Sequence, residues 1–216
     1  MKKYLALGLI IFSTLLWGCP STVSHSRGVY MLLDTSGTYK KELKRAEAII
    51  NYLLGTLQPG DSLAVARIDS GSFSEKDIIA KMTFDKRPSV ANQQKRLFKQ
   101  KVEHFVNTAK GSAYTDITGG VLQSVEFLNE AGVGQKYILI FSDLKEDLVK
   151  GQIRDFPIQV DGCKVVALNV TKLRSDNVDP RDYFQRVEAW RARVEAGGGT
   201  WRVVNDLERL ENIFEG

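Results

Sequence analysis

Five oxygen-bearing side chains in this sequence could together hold a small, hard cation. They fall into three clusters, two after apolar runs and one in a polar loop, and they are Asp34, Ser36, Thr38, Thr115 and Asp143. None of these clusters offers sulfur or imidazole. Carboxylates, hydroxyls and water are the ligands that Mg²⁺ takes in proteins, so the sequence predicts a site for Mg²⁺ or Mn²⁺.

Short apolar runs and longer amphipathic segments alternate along the chain. The runs predict strands at Gly28–Leu33, Ser62–Asp69, Asp77–Phe84, Lys136–Ser142, Val165–Val170 and Thr200–Val204. Apolar residues at three- and four-residue spacing predict helices at Lys40–Leu57, Pro88–Ala109, Ile117–Ala131, Asp182–Ala196 and Leu207–Phe214. The fold class is therefore α/β, with a doubly wound, mainly parallel six-stranded sheet and helices on both faces. A short Ser/Gly-rich turn makes the third strand an antiparallel edge strand.

The predicted sheet explains how distant residues could reach one site. In open α/β sheets, ligands bind beyond the carboxyl ends of the central strands. Asp34 follows the first predicted strand, Asp143 follows the fourth, and Thr115 lies in the loop before the third helix. We therefore expect the three clusters to meet at the carboxyl edge of the sheet.

The order Asp34-x-Ser36-x-Thr38, then Thr115, then Asp143, resembles the metal-ion-dependent adhesion site of von Willebrand factor type A domains. The resemblance extends to the order of strands and helices, and we assign residues 29–216 to such a domain. It implies that Ser36 and Thr38 bind the ion directly and that Asp34 and Asp143 act through water. Thr115 would enter or leave direct coordination.

The resemblance also implies a function and a kind of partner. Hydroxyl ligands leave the charge of the ion under-neutralised, so an acidic side chain of a protein partner can complete its coordination. The expected function is non-enzymatic binding of such a partner. The sequence departs from the family at Leu144, where Gly is usual, and at Lys145, which could compete with the cation.

Two alternatives remain open from the sequence. In the first, the domain has lost its metal and serves as a structural or assembly subunit, with Asp34, Ser36 and Thr115 capping loops and helix starts. In the second, Asp34 is the nucleophile of a phosphatase, because residues 33–38 also resemble the first motif of haloacid-dehalogenase-type enzymes. Ser36 is a poor proton donor for that chemistry. Asp116 and Asp147 are interpreted as capping or surface acids.

The remaining reactive residues do not form a second site in the sequence. His25 and His104 are the only histidines, which supports neither a zinc site nor a histidine-based triad. Cys163 is interpreted as a small buried hydrophobe. The aromatic residues Tyr137, Trp190 and Trp201 are expected to pack in or beside the core.

The N-terminus has the pattern of a secretory signal. Lys2 and Lys3 precede a 12-residue apolar run, Leu5–Leu16, which is too short to span a bilayer, and Gly18-Cys19 resembles a lipoprotein cleavage site. We expect residues 1–18 to be removed and residues 19–28 to form a tether. Lipid on Cys19 would anchor the domain in the cell envelope, either outside the cytoplasmic membrane or in the outer membrane.

The charge of the chain argues against nucleic acid as a partner. The formal net charge is +4, and removing Lys2 and Lys3 with the signal leaves +2. A nucleic-acid domain normally shows a clustered basic excess. The basic run Lys95–Lys101 is interpreted as a solvated helix face, because Leu97, Val102, Phe105 and Val106 recur at helical spacing.

Overall fold

A computed structural model describes residues 25–37, 39–173 and 175–214. In this part of the chain the strands are β1 (Arg27–Asp34), β2 (Ser62–Ile68), β3 (Ile78–Thr83), β4 (Gln135–Phe141), β5 (Cys163–Leu168) and β6 (Thr200–Val204). The α-helices are α1 (Leu43–Thr56), α2 (Pro88–Thr108), α3 (Ile117–Glu130) and α4 (Arg181–Ala196). Thr38, one of the five predicted ligands, lies outside the described residues.

The described strands form one sheet in the order β3-β2-β1-β4-β5-β6. Strand β1 is parallel to both β2 and β4, and β5 is parallel to β4 and β6. Strand β3 is antiparallel to β2 and lies at the edge. The predicted fold class is therefore confirmed, including the antiparallel edge strand.

The structure corrects the ends of two predicted helices. The first begins as a short 3₁₀ helix, Lys40–Glu42, before α1. The segment predicted as a last helix, Leu207–Phe214, contains only the 3₁₀ helix Leu210–Ile213. A run of that length lacks the residues needed for a stable α-helix, because the first hydrogen-bonded turn is costly to form.

Apolar side chains from both faces of the sheet make two cores. Strand β1 is buried along nearly its whole length, as expected for a central strand covered on both sides. Helices α1 and α2 supply residues such as Leu53 and Phe98 to one core. Helices α3 and α4 supply Val121 and Trp190 to the other. The central strands thus lie between two packed cores.

Close packing of α3 on β1 depends on a glycine. A Cβ atom at Gly120 would lie 2.7 Å from Leu32 Cδ2, well inside van der Waals contact. The start of α3, and the loop with Thr115 before it, can therefore approach the end of β1.

The predictions for the N-terminus concern residues that the structure does not describe. The signal, Cys19 and most of the tether lie outside the described residues. Among the described residues, no helix combines the length and the apolarity needed to cross a bilayer.

Candidate functional site

The register of β1 and β4 brings the ends of these strands together. Leu33 lies opposite Phe141, so Asp34 and Ser142, the next residues, are neighbours. The Ser142 hydroxyl donates a hydrogen bond of 2.6 Å to Asp34 Oδ2, and the Ser36 backbone N–H donates one of 2.8 Å to Asp34 Oδ1. Asp34 has no exposed surface. Asp34 therefore links the loop after β1 to the loop after β4.

Thr115 reaches the same edge because its loop is tied to both strand ends. Ser112 forms a parallel bridge with Ser36, and its N–H donates a hydrogen bond of 2.8 Å to the Thr35 carbonyl. The Thr115 N–H donates a hydrogen bond of 2.7 Å to the Asp147 carbonyl, and the Asp147 N–H returns one of 3.0 Å. The Thr115 loop is thus held between the loop after β1 and the loop after β4.

The loop after β4 turns sharply at Leu144, where φ is 66°. A residue with a Cβ atom adopts this left-handed conformation at a cost of about 1–2 kcal/mol. The Leu144 side chain is buried, its N–H donates to Ser142 Oγ at 3.0 Å, and its carbonyl accepts from the Trp190 indole N–H at 3.1 Å. Leucine thus makes the turn at the position where the family resemblance leads one to expect glycine.

Asp143 keeps one carboxylate oxygen free of hydrogen bonds. The Lys145 N–H donates a hydrogen bond of 2.9 Å to Asp143 Oδ1, and the Arg186 Nε–H donates one of 2.9 Å to the Asp143 carbonyl. Oδ2 accepts no hydrogen bond from the described residues. Only 5% of Asp143 is exposed, but Oδ2 is not a fully buried unpaired atom, and Asp143 lines the cavity at this edge of the sheet.

A cavity of about 340 Å³ opens at this edge of the sheet. Its walls include Ser36, Gly37, Ser112, Thr115, Asp143 and Lys145. The Thr115 hydroxyl forms no hydrogen bond with any described residue. Of the five predicted ligands, three therefore line one cavity and Asp34 lies behind them.

Both carboxylates of the site are held in an environment that disfavours their charge. Burial raises the pKa of Asp34, although hydrogen bonds from Ser142 and Ser36 lower it in part. Burial likewise raises the pKa of Asp143; the Lys145 N–H lowers it, and the negative charge of Asp34 raises it further. Two buried acids therefore repel each other at this edge.

Neither acid has an ion-pair partner among the described residues. Burial raises the pKa of Asp143 and the positive charge of Arg186 lowers it in part, but the Arg186 guanidinium is paired with Asp176 at 2.9 Å. Buried charges in proteins are usually paired or coordinate a metal. A bound divalent cation would supply the missing positive charge for Asp34 and Asp143.

The donors fit a small cation that takes oxygen. In the described part of the chain, no three His, Cys, Asp or Glu residues are grouped so as to hold a metal. A metal in this cavity would therefore depend on the hydroxyls of Ser36 and Thr115, together with Asp143. Such neutral oxygen ligands suit Mg²⁺, which keeps several of its waters when bound.

Beside the cavity, the buried Asp116 carboxylate accepts hydrogen bonds from several residues. It caps α3 by accepting a hydrogen bond of 2.8 Å from Gly119 N–H, which confirms the capping interpretation. It also accepts from Ser72 N–H at 3.0 Å and from Gln152 Nε2 at 3.2 Å. Arg154 completes the network with hydrogen bonds of 3.1 and 2.8 Å.

This network ties three loops to one carboxylate. Its members come from the β2–β3 loop, the start of α3 and the long β4–β5 loop, and sequence analysis missed their convergence. The signal available in the sequence was Asp116 followed three residues later by Gly119, since a Cβ at Gly119 would collide with the carboxylate. Asp147, in contrast, is exposed, as its surface interpretation predicted.

The other singled-out residues are structural. Cys163 is free and buried, and burial raises the pKa of its thiol. Tyr137 and Trp190 are buried, and Trp201 is partly buried against the core. These positions match the packing roles predicted for them.

Three solved structures share this fold. The pilus adhesin SpaC of Lactobacillus rhamnosus GG, in its open conformation, is 11% identical with a TM-score of 0.53 over 89% of this chain and 29% of its own. A von Willebrand factor type A protein from Catenulispora acidiphila is 13% identical, with a TM-score of 0.52 over 88% of this chain and 41% of its own. The D319A mutant of the PilB minor pilin from Streptococcus sanguinis is 10% identical, with a TM-score of 0.50 over 90% and 61%.

The chain therefore has the fold of a von Willebrand factor type A domain. It spans less than two thirds of the length of each of these three structures. No protein-family model matches the sequence, and no similar curated protein was found. At such low sequence identity, these comparisons show a shared fold and nothing more.

Proposed function

We propose that this domain binds a protein partner through a divalent cation held in the cavity at the carboxyl ends of β1 and β4. The observation that carries the proposal is that Ser36, the unbonded hydroxyl of Thr115 and the free oxygen of Asp143 line one cavity. Two buried acids without an ion pair lie at the same place.

Each of the five predicted ligands has a role in the proposed site. Ser36, Thr38 and Thr115 offer neutral hydroxyl oxygens, while Asp34 orients Ser36 by accepting its N–H at 2.8 Å. Asp143 offers Oδ2. A cation held mainly by hydroxyls keeps an affinity for a further carboxylate, which the partner would supply from an acidic side chain.

Three features support a binding role over an enzymatic one. Asp34 is fully buried and both of its oxygens already accept hydrogen bonds, so it is poorly placed to attack a phosphate. The two histidines lie at residues 25 and 104, outside the cavity lining. Two of the structures with this fold are a pilus adhesin and a minor pilin, and adhesion is a binding function.

One observation favours a metal-free assembly subunit instead. Lys145 lines the same cavity as Asp143, and its ammonium group could compensate the acids in place of a cation. The metal titration below separates the two functions, because only the first requires a bound ion.

Metal binding is expected to stabilise the folded chain. In lipid nanodiscs, the full-length protein should show a melting temperature that rises with millimolar Mg²⁺ or Mn²⁺, since binding to the native state alone adds about 2.7 kcal/mol at a hundredfold excess over Kd. Thr115→Val, which removes an unbonded hydroxyl, should abolish the rise. Asp155→Ala, which changes an exposed residue outside the cavity lining, should keep it. No calorimetric heat and an unchanged melting temperature in the parent protein would exclude the metal.

We further propose that lipid on Cys19 holds the domain in the cell envelope. The support is the sequence alone: a basic start, a 12-residue apolar run and Gly18-Cys19. The tether is shorter than the sequence predicted, because Arg27 and Gly28 belong to β1; residues 19–26 would then link the lipid to the domain.

Substituting Cys19→Ser is expected to abolish incorporation of radiolabelled palmitate and to leave the precursor uncleaved, because the thiol accepts the lipid that precedes cleavage. Cys163→Ser is the matched control and should be labelled and processed normally, since that thiol is buried. Normal labelling of the Cys19→Ser protein would contradict the anchor.

A further inference from the structure

A second, larger groove lies away from the candidate metal site. It has a volume of about 730 Å³ and runs between β3 and α2. Its walls and those of the cavity around Asp143 have no residue in common. The groove therefore needs an explanation of its own.

One wall of the groove is the edge strand β3. In the described part of the chain, β3 pairs with β2 on one side and no strand pairs with its other side. The pairing of β3 with β2 has a bulge or irregularity opposite Val65 and Ala66, and it is regular from Ala80 to Thr83. In a regular antiparallel ladder, every second residue of an edge strand points its N–H and C=O outward. An extended backbone laid along residues 80–83 could satisfy these groups.

The floor of the groove is apolar. Ile79 and Met82 of β3 and Phe105 of α2 are only partly buried, and they pack against the same core as Phe98. Leu97 lies beside them and is 50% exposed, although it had been grouped with Val102 and Val106 at helical spacing. An added strand would cover these side chains on one of its faces.

The rim of the groove is basic. Four basic side chains line it, Arg67, Lys76, Lys81 and Lys101, against a single acid, Asp77. Asp77 is already paired with Arg67 at 3.0 Å, and Lys81 is paired with Glu75. Lys76 and Lys101, one on each wall, have no ion pair among the described residues, so they remain available to acidic side chains.

We propose that this groove binds an extended segment of a partner protein as an added strand on β3, with acidic and apolar side chains at every second position, on the face turned toward α2. The apolar side chains of that face cover the floor, and its acidic side chains meet Lys76 and Lys101. This mode of recognition combines ladder hydrogen bonds, which give affinity, with side-chain pockets, which give specificity.

A second copy of this chain does not fit the groove equally well. Pairing β3 with another β3 would bring two basic rims together, and like charges across adjacent strands are destabilising. A compact small molecule also leaves the outward backbone groups of β3 unpaired along most of the strand. A strand of a different protein that carries acidic and apolar side chains can pair both with the basic side chains of the rim and with the outward backbone groups of β3.

The test is a selection of random 12-residue peptides displayed on phage against the full-length chain in lipid nanodiscs, with empty nanodiscs removing background. Enriched peptides should carry acidic and apolar residues together at two-residue spacing, which places them on one face of a strand. Bound as synthetic peptides, they should slow hydrogen exchange of backbone amides in residues 80–83. Chelator should not release them, which separates this groove from the metal site.

Two charge variants with the same change in net charge make the test specific. Lys76→Glu with Lys101→Glu should weaken the selected peptides about tenfold or more, because acidic side chains then meet acids. Lys86→Glu with Arg96→Glu, at exposed positions outside the groove lining, should leave affinity unchanged. The proposal is overturned if no peptide is enriched over the Lys76→Glu, Lys101→Glu protein, if the selected peptides lack acidic and apolar residues at two-residue spacing, or if exchange slows elsewhere.

Discussion

The substitution Asp116→Ala is expected to lower the free energy of unfolding by about 3–5 kcal/mol, because it breaks a buried ion pair by removing one partner. The carboxylate has no exposed surface, and the Arg154 side chain that pairs with it at 2.8 Å is 18% exposed. Without Asp116, the guanidinium would lose its counter-charge, and the N–H groups of Gly119 and Ser72 would lose their acceptor. Urea denaturation followed by circular dichroism measures the loss.

Asp147→Ala is the matched control, since it removes the same group from a nearby exposed position. The Asp147 side chain makes no ion pair or hydrogen bond among the described residues, and its backbone bridge to Thr115 does not depend on the side chain. Its effect should stay within about 0.5 kcal/mol. If the two variants unfold at similar urea concentrations, the Asp116 network contributes little to stability.

The substitution Asp34→Ala is expected to reduce affinity for the metal-dependent partner by about 2–5 kcal/mol, or roughly thirtyfold to several thousandfold. The loss follows because Asp34 orients Ser36 and supplies one of the two buried negative charges at the site. Cross-linking in envelopes followed by mass spectrometry would identify the partner, and biolayer interferometry with the purified partner would give the affinity. Chelator should mimic the substitution, and added Mg²⁺ should reverse the chelator.

Asp155→Ala provides the control for Asp34→Ala, because Asp155 is exposed on the β4–β5 loop and lies outside the cavity lining. It should change the affinity far less. A circular-dichroism spectrum like that of the parent protein must accompany the Asp34→Ala result. If the folded Asp34→Ala protein still captures the partner with undiminished yield, and chelator has no effect, then the partner binds elsewhere and the metal-free assembly subunit is favoured.

The strands and helices could be predicted well because their apolar spacing is regular. Strand β6 was predicted at its observed ends, Thr200–Val204, and the antiparallel pairing of β3 followed from the short turn before it. The phase of α2 was harder to assign. Leu97 and Phe98 are adjacent and both apolar. Leu97 was grouped with the apolar residues at helical spacing, but Phe98 is the one that is buried. The helix leaves Leu97 over the groove, where a single-sequence pattern carries no information.

The candidate site could be predicted only in outline. Strand order was enough to bring Asp34, Thr115 and Asp143 to one edge, because the carboxyl ends of parallel strands meet there. The contacts of Asp116 with Ser72 and Arg154 could not be predicted, since these residues lie in loops whose paths no periodic pattern determines. Hydrogen bonds between loops depend on tertiary packing rather than on local propensity.

The turn at Leu144 has a consequence for how fast and how tightly a partner could associate. Its shape is fixed within the folded domain by a buried side chain and by hydrogen bonds with Ser142 and Trp190. Ordering a loop costs about 1–2 kcal/mol of backbone conformational entropy for each residue. In this segment that entropy is lost when the domain folds, so binding of a partner near Asp143 need not order the segment again. The domain thus presents a preorganised surface, and the entropic penalty of association falls mainly on the partner.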